Sequence, residues 1–422
     1  MSEENDLKFW EFVKPGKFEL PAEPASKRAA SFFEKLFSGV SDDAGEGGIE
    51  AVQSELKNAP RSLIDWLAPY PCWKEATAAI KEALLPWLED ETFEGYSRVL
   101  VAPYGSGLGE MLQILADENK WTVLAAPDYS VLRTRNFSWL DALPAKSDKP
   151  LIIPRLEAFF LRHYNGLEHL RRLVSKLFHS RQRCIIGCNS WLWHFLDSAM
   201  HMRESFNKCY YLQSLSAQDL QSLFCSLETR KSYRPTVFRQ ADNGSFILPP
   251  EMTGKGRLDA AVIKADSSAD AFPSAFLKKL AVESRGIPLV AWSIWRNSLR
   301  LAPDEDVAEL AREVADKDAA TSATAKTIWV KAFEDVELPT IPGDTGQTGA
   351  FLLLYLLQHD GLKTDAIFDL LSLEKSRLIG LLNRLHKAGI VVNENDVWRA
   401  SWQGYPAIRR FLAEQDHLQD AM

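Results

Sequence analysis

The chain has 422 residues, 46% apolar and 25% charged, the composition of a globular protein large enough for two or three domains. Its net charge of −8 excludes a general attraction to nucleic acid or anionic membrane, and no segment approaches the 18 or so uninterrupted apolar residues of a membrane span. Cys72, Cys184, Cys188, Cys209 and Cys225 are odd in number and lack zinc-ligand spacing. Neither a disulfide framework nor a metal site is therefore expected, and a cytoplasmic location is.

In chain order, MSEENDLKFWEF has no signal-like apolar run, and Lys14–Glu23 reads as extended. A short helix is expected over Ala29–Phe37 and an acidic loop over Ser41–Gly48, so residues 1–60 form an arm. Helices are expected over Arg61–Trp66 and Trp73–Leu88. From there short apolar strands alternate with helical stretches. Strands are predicted at Arg98–Ala102, Trp121–Ala126, Leu151–Ile153, Arg183–Ile186 and Cys209–Leu212. Between them come helices at Gly109–Ala116, Val131–Leu143 (with a connecting turn), Leu156–Phe178 (broken near His163–Gly166) and Trp191–Ala199. This alternation predicts a mostly parallel sheet with helices on both faces. Cys184 and Cys188 lie in and just beyond one of these strands, whose alternation accounts for them.

Ser216 and Asp219 open a further helix as a near capping box. Arg230–Gly256 is polar and irregular. Helices are then expected at Ala271–Glu283, Val290–Leu299 and Asp304–Lys317, a linker at Asp318–Ala325 and a strand at Thr327–Phe333. The C-terminal stretch reads helix, helix, helix, hairpin: Ala350–Gln358, Lys363–Leu370, Leu373–Ala388, then Ile390–Val392 against Val397–Ala400, with a closing helix Tyr405–Gln415. That order predicts a winged helix, with Gly389 as the residue that ends its third helix.

The stretch with the most chemical content is Arg98–Gln113, in which a strand runs through a Gly-rich turn into a helix. It resembles a Walker A loop, G-x-x-x-x-G-K-[ST], with Ala102 to Gly109 in the eight positions. Gly105 and Gly107 keep the bend and Ser106 lies between them. Leu108 stands for the lysine and Gly109 for the Mg²⁺-ligating hydroxyl residue. Other landmarks of AAA+ and STAND P-loop NTPases follow in order. Leu151–Glu157 resembles Walker B with Pro154 and Arg155 in the acidic positions, and Ile185–Ser190 resembles the sensor 1 strand ending in Asn189. Tyr210–Ser216 resembles the segment entering the lid, and Ser284–Leu289 the lid turn with Leu289 in place of an arginine. The resemblance implies an α/β fold: a mostly parallel P-loop NTPase-like sheet over residues 61–228, a helical lid over 229–325 and a winged-helix domain over 326–422.

It also implies a degenerate nucleotide site made of Gly105, Ser106, Gly107, Leu108, Gly109, Arg155 and Asn189. Leu108 brings no charge to the phosphates, and neither Gly109 nor Pro154 can ligate Mg²⁺. Arg155 either offers charge to phosphate without magnesium or fills the site by pairing with Glu110 or Glu157. The second is preferred, because Glu110 adds negative charge where phosphate would sit. Glu157 lies past the strand end, out of place for a catalytic base. The simpler reading of the loop is a tight turn of another α/β domain, and of Asn189 a helix cap.

No catalytic residue, metal site or bound cofactor is therefore expected, with residual ATP or ADP binding as the alternative. The expectation is a non-catalytic regulatory or scaffolding subunit that contacts a protein partner and can oligomerise. One alternative is an ATP-binding protein or ATPase with a remodelled site. The other is a DNA-binding regulator that uses Lys375, Arg377, Arg384 and Lys387 of the winged helix. Residues 350–422 carry eight Lys/Arg against nine Asp/Glu, and the wing tip Asn393–Asp396 is acidic, which disfavours DNA.

Overall fold

The computed structural model describes residues 10–21, 56–90, 96–143, 149–206, 208–229, 236–250, 272–302, 326–417 and 422. The expected helices Ala29–Phe37 and Asp304–Lys317, the loop Ser41–Gly48 and the linker Asp318–Ala325 lie outside them. Contacts divide the chain into two compact units, each assembled from separate stretches.

One unit comprises Lys8–Glu19, Trp73–Ser214 and Leu338–Met422. Its first part is a six-stranded sheet. The strands are β1 (Phe12–Val13), β2 (Ser97–Ala102), β3 (Thr122–Val123), β4 (Leu151–Ile153), β5 (Cys184–Asn189) and β6 (Cys209–Leu212), in the order β1-β6-β2-β5-β4-β3. All pairs are parallel except β1 with β6. The strands are buried on both sides, as their continuous apolar runs predict.

The helices of this part are α1 (Lys74–Glu89), α2 (Leu108–Asn119), α3 (Gly166–Ser180) and α4 (Ser190–Met200). Val99, Val101, Ile153 and Ile186 share one face of the sheet with Leu170 and Leu173 of α3 and Leu192 of α4. Gly187 lets α2 pass close over β5, since a Cβ there would lie 2.6 Å from Leu112 Cδ1 and 2.3 Å from the Pro154 carbonyl oxygen.

The expected helical stretch Val131–Leu143 is interrupted, and Leu156–Phe178 is broken where expected. Val131–Leu143 forms only the turn Tyr129–Leu132 and a 3-10 turn Ser138–Ala142. Between them Thr134 Oγ1 donates to the Val131 carbonyl, and Asn136 Oδ1 accepts from the backbone and hydroxyl of Ser138, local bonds that compete with a helix. Leu156–Phe178 divides into a 3-10 turn, Leu156–Phe159, and α3. Gly166 starts α3 where a Cβ would collide with the Leu161 carbonyl.

The second part of the unit is the winged helix. It contains α5 (Gly346–His359), β7 (Leu362–Lys363), α6 (Thr364–Leu371), α7 (Lys375–Lys387), β8 (Val391–Glu394), β9 (Val397–Ala400) and α8 (Tyr405–Glu414), with strand order β7-β9-β8. Leu353, Leu357, Leu378, Leu382, Leu385 and Ile408 are fully buried, consistent with the helical spacing of the sequence. Gly389 has φ +71° just past α7, where a left-handed residue ends the helix.

The other unit comprises Met1–Leu7, Leu20–Cys72 and Leu215–Glu337. Helices Arg61–Leu67, Ala217–Thr229, Ala275–Glu283 and Pro288–Ser298 accompany a four-stranded sheet, ordered Lys57–Asn58, Leu299–Leu301, Lys326–Val330, Thr236–Gln240. Trp295 is its centre, within 6 Å of the rings of Phe224, Phe238 and Phe276. Ser216 and Asp219 form the expected reciprocal cap, each side chain accepting from the other's backbone N–H. Among the described residues no helix is long and apolar enough to cross a membrane.

Candidate functional site

The carboxyl ends of β2, β4 and β5 lie together, with Ala102 opposite Asn189 in the β2–β5 register. In a parallel sheet this edge is where ligands bind. The loop from β2 to α2 turns through Gly105 (φ +82°) and Gly107 (φ +80°), left-handed conformations that suit glycine. Ser106 is buried, and its Oγ accepts from the Leu108 N–H at 3.3 Å. That N–H is one of the orphan donors at the start of α2 that would otherwise face an anion. Leu108 is buried in the core.

Side chains of this chain lie over Gly107 and Gly109 of the loop. The Trp73 indole lies against Gly107, where a Cβ would come within 2.4 Å of the ring. Its Nε1–H donates to Glu110 Oε2 at 2.7 Å, and Trp10 meets it edge-on at 5.8 Å. The Arg155 stem crosses Gly109, where a Cβ would lie 2.7 Å from Cγ and 2.9 Å from Cδ. The Arg155 guanidinium reaches Asp360 Oδ2 at 3.2 Å. The sequence reading that paired Arg155 with Glu110 or Glu157 is therefore corrected. Its partner follows α5, in the winged helix, while Glu157 accepts from the Asn189 N–H at 3.3 Å.

Asn189 is a helix cap. Its Oδ1 accepts from the Leu192 N–H at 2.8 Å at the start of α4, and its Nδ2 donates to the Gln358 carbonyl at 3.3 Å. The structure thus brings Gly105–Gly109, Arg155 and Asn189 to one edge, with each of the three polar side chains, Ser106, Arg155 and Asn189, already engaged.

Several residues at this edge carry no local sequence signal. Tyr104 donates its hydroxyl to the Ala400 carbonyl at 2.6 Å and stacks on Tyr405. Arg162 donates to Gln358 Oε1 at 2.7 Å and lies over the rings of Phe195 and Tyr355. His359 stacks on Phe160 at 5.2 Å. Asp360-Gly361 marks a turn in the sequence, with both residues at positive φ, but nothing nearby announces its pairing with Arg155.

Burial, and then the neighbouring Asp360, push the Glu157 carboxyl up to about 8. Burial raises Asp360 as well, against the pull of Arg155 and Arg399. His359 is lowered to about 3 by burial and then by Arg162. Burial pushes the Cys184 and Cys188 thiols up, and Cys209 to about 12.

No family model matches the sequence, and no curated protein matches it either. Among solved structures the chain is similar to the Thermotoga maritima RuvB Holliday junction branch migration motor, at 13% identity and TM-score 0.31, covering 84% of this chain and 99% of that one. It is similar to Cdc6p from Pyrobaculum aerophilum at 12% identity and TM-score 0.30, covering 82% and 95%. It is also similar to the Aeropyrum pernix ORC2 protein at 10% identity and TM-score 0.33, covering 85% and 99%. A mostly parallel sheet with helices on both faces, followed by a three-helix and small antiparallel-sheet module, is consistent with an AAA+-like fold plus a winged helix.

The residues at the edge do not fit a magnesium-bound nucleotide. The cation whose stem crosses the loop, Arg155, is already paired with a carboxylate. The position of the magnesium-ligating hydroxyl is a glycine under the Arg155 stem, and Trp73 covers the bend. Glu157 and Asp360 would meet phosphate oxygens with like charge or with their own desolvated protons.

Proposed function

We propose that the chain is a non-catalytic AAA+-like protein, a regulatory or scaffolding subunit that works through protein–protein contacts. The observation that carries this reading is the Arg155 stem lying over Gly109 and ending on Asp360. The substituted loop, the substituted acidic positions and the winged helix meet in one self-complementary contact. Ser106, Trp73 and Asn189 support it, each spending on the chain itself a group that a phosphate site would direct at a ligand. The winged helix contributes Asp360, Gln358, Ala400 and Tyr405 to this contact, a structural role that needs no DNA.

The test is calorimetric titration of the purified chain with ATP and ADP, with and without Mg²⁺, beside an assay for co-purified nucleotide. The expected outcome is no saturable heat up to millimolar nucleotide and no phosphate release. Saturable micromolar binding would sink the reading in favour of a remodelled nucleotide site, and Arg155→Ala would then locate the phosphate.

A further inference from the structure

We infer that the outward stripe of α3, with the loop beside it, is a docking site for an acidic segment of a partner protein. The inference rests on the protein-contact reading above and names the chemistry of the partner. Between Arg133 and Arg183 the sequence holds eleven Lys/Arg against four Asp/Glu, a net of +7 in a chain whose total is −8. The rest of the chain therefore carries −15.

The fold brings six of these cations, Arg133, Arg135, Arg171, Arg172, Lys176 and Arg181, to α3 and the loop beside it. Along α3, Glu168, Arg171, Arg172, Ser175, Lys176 and His179 recur at three- and four-residue spacing and lie on one side, while Leu170, Leu173, Val174 and Leu177 fill the other. The stripe is about 20 Å long. The 133–142 loop lies along it. Thr134 O meets His169 Nε2 at 2.8 Å, Arg172 stacks on Phe137 at 3.8 Å, and Lys176 Nζ donates to the Leu140 carbonyl at 2.6 Å. Asn165 Nδ2 donates to the Arg133 carbonyl at 3.2 Å, and the neighbouring Tyr164 is 84% exposed.

This surface already binds carboxylates of its own chain. Arg172 Nε meets Glu168 at 2.8 Å, Arg133 meets Asp369 at 2.8 Å and Lys176 meets Asp141 at 3.1 Å. Arg135, Arg171 and Arg172 together hold the Glu168 carboxyl below its usual range, with the Arg172 hydrogen bond the largest cause. An incoming Asp or Glu would meet the same donors, with Arg135, Arg171 and Arg181 exposed to receive it. Arginine and tyrosine are also the side chains that anchor protein interfaces. A nucleic acid strand has suitable charge but extends past a stripe of this length, onto a chain that is otherwise strongly acidic. A short acidic peptide does not.

The experiment is fluorescence anisotropy of the full chain with a labelled oligoglutamate peptide, its oligoglutamine counterpart and an oligothymidylate of equal charge, over a range of salt. The expected result is saturable oligoglutamate binding that weakens with salt, is absent for oligoglutamine, and falls about tenfold or more in Arg135→Glu/Arg171→Glu. Tyr164→Ser and Arg181→Glu, at exposed positions, give a second measurement should the double variant fail to fold. The inference is overturned by no oligoglutamate binding, by preference for oligothymidylate, by binding that the reversals leave unchanged, or by binding lost instead in Lys375→Glu/Arg377→Glu. None of these outcomes depends on the nucleotide titration, so the two readings can fail separately.

Discussion

Gly109 and Glu157 are the residues whose substitution is most informative. Gly109→Ser restores the hydroxyl of a phosphate loop, but its Cβ would lie 2.7 Å from Arg155 Cγ. We expect it to displace the stem, loosen the pairing with Asp360 and destabilise the chain by about 1–3 kcal/mol, without creating magnesium binding. Urea denaturation and a Mg²⁺ titration measure the two effects. Glu157 has an ordinary value of 4.5 and a folded value of about 8. Between these the folded chain keeps a proton that the unfolded chain has released. Its stabilising contribution is therefore full below pH 4.5 and is lost as pH rises through 8. His359 has the opposite sign. Its value falls from 6.5 to about 3, so its contribution is full above pH 6.5 and is lost as pH falls through 3. Thermal midpoints of Glu157→Gln between pH 5 and 9 should fall less than those of the parent. His359→Gln should flatten the acid side of the profile.

At the scale of elements, the end of α5 and the β9 strand close the carboxyl edge of the sheet. Tyr104→Phe removes a buried donor and leaves the Ala400 carbonyl without it, at a cost of about 1–3 kcal/mol in chemical denaturation. Trp73→Ala opens the space against Gly107 and should cost about 3–5 kcal/mol. Periodicity made the strands β2, β4, β5 and β6 and the winged-helix elements other than β7 legible in the sequence, because apolar spacing and a C-terminal glycine are local signals. It did not reveal Thr236–Gln240, a strand set in a polar stretch and held by Lys326–Val330 far along the chain. Nor did it reveal that Thr134 and Asn136 would break an expected helix. At the site, the substitutions at Leu108, Gly109, Pro154 and Arg155 were legible one by one. Asp360, Gln358 and Tyr405 were not, since only the fold brings them to the loop.

At the scale of the whole molecule, total charge proved a poor guide to local charge. The figure of −8 averages a basic stretch around α3 with an acidic remainder. The compact unit that bears this stretch is also discontinuous. Residues 215–337 separate its sheet from its winged helix, and the Tyr104–Ala400 hydrogen bond spans 296 positions. A chain leaving the ribosome at a typical rate would present the finished sheet about 10–40 s before Ala400 is made. Throughout that interval Tyr104 would lack its acceptor, and for most of it Arg155 would lack Asp360 and Asn189 the Gln358 carbonyl. The nascent protein is open to chaperones and to mispairing at an edge that the finished fold covers.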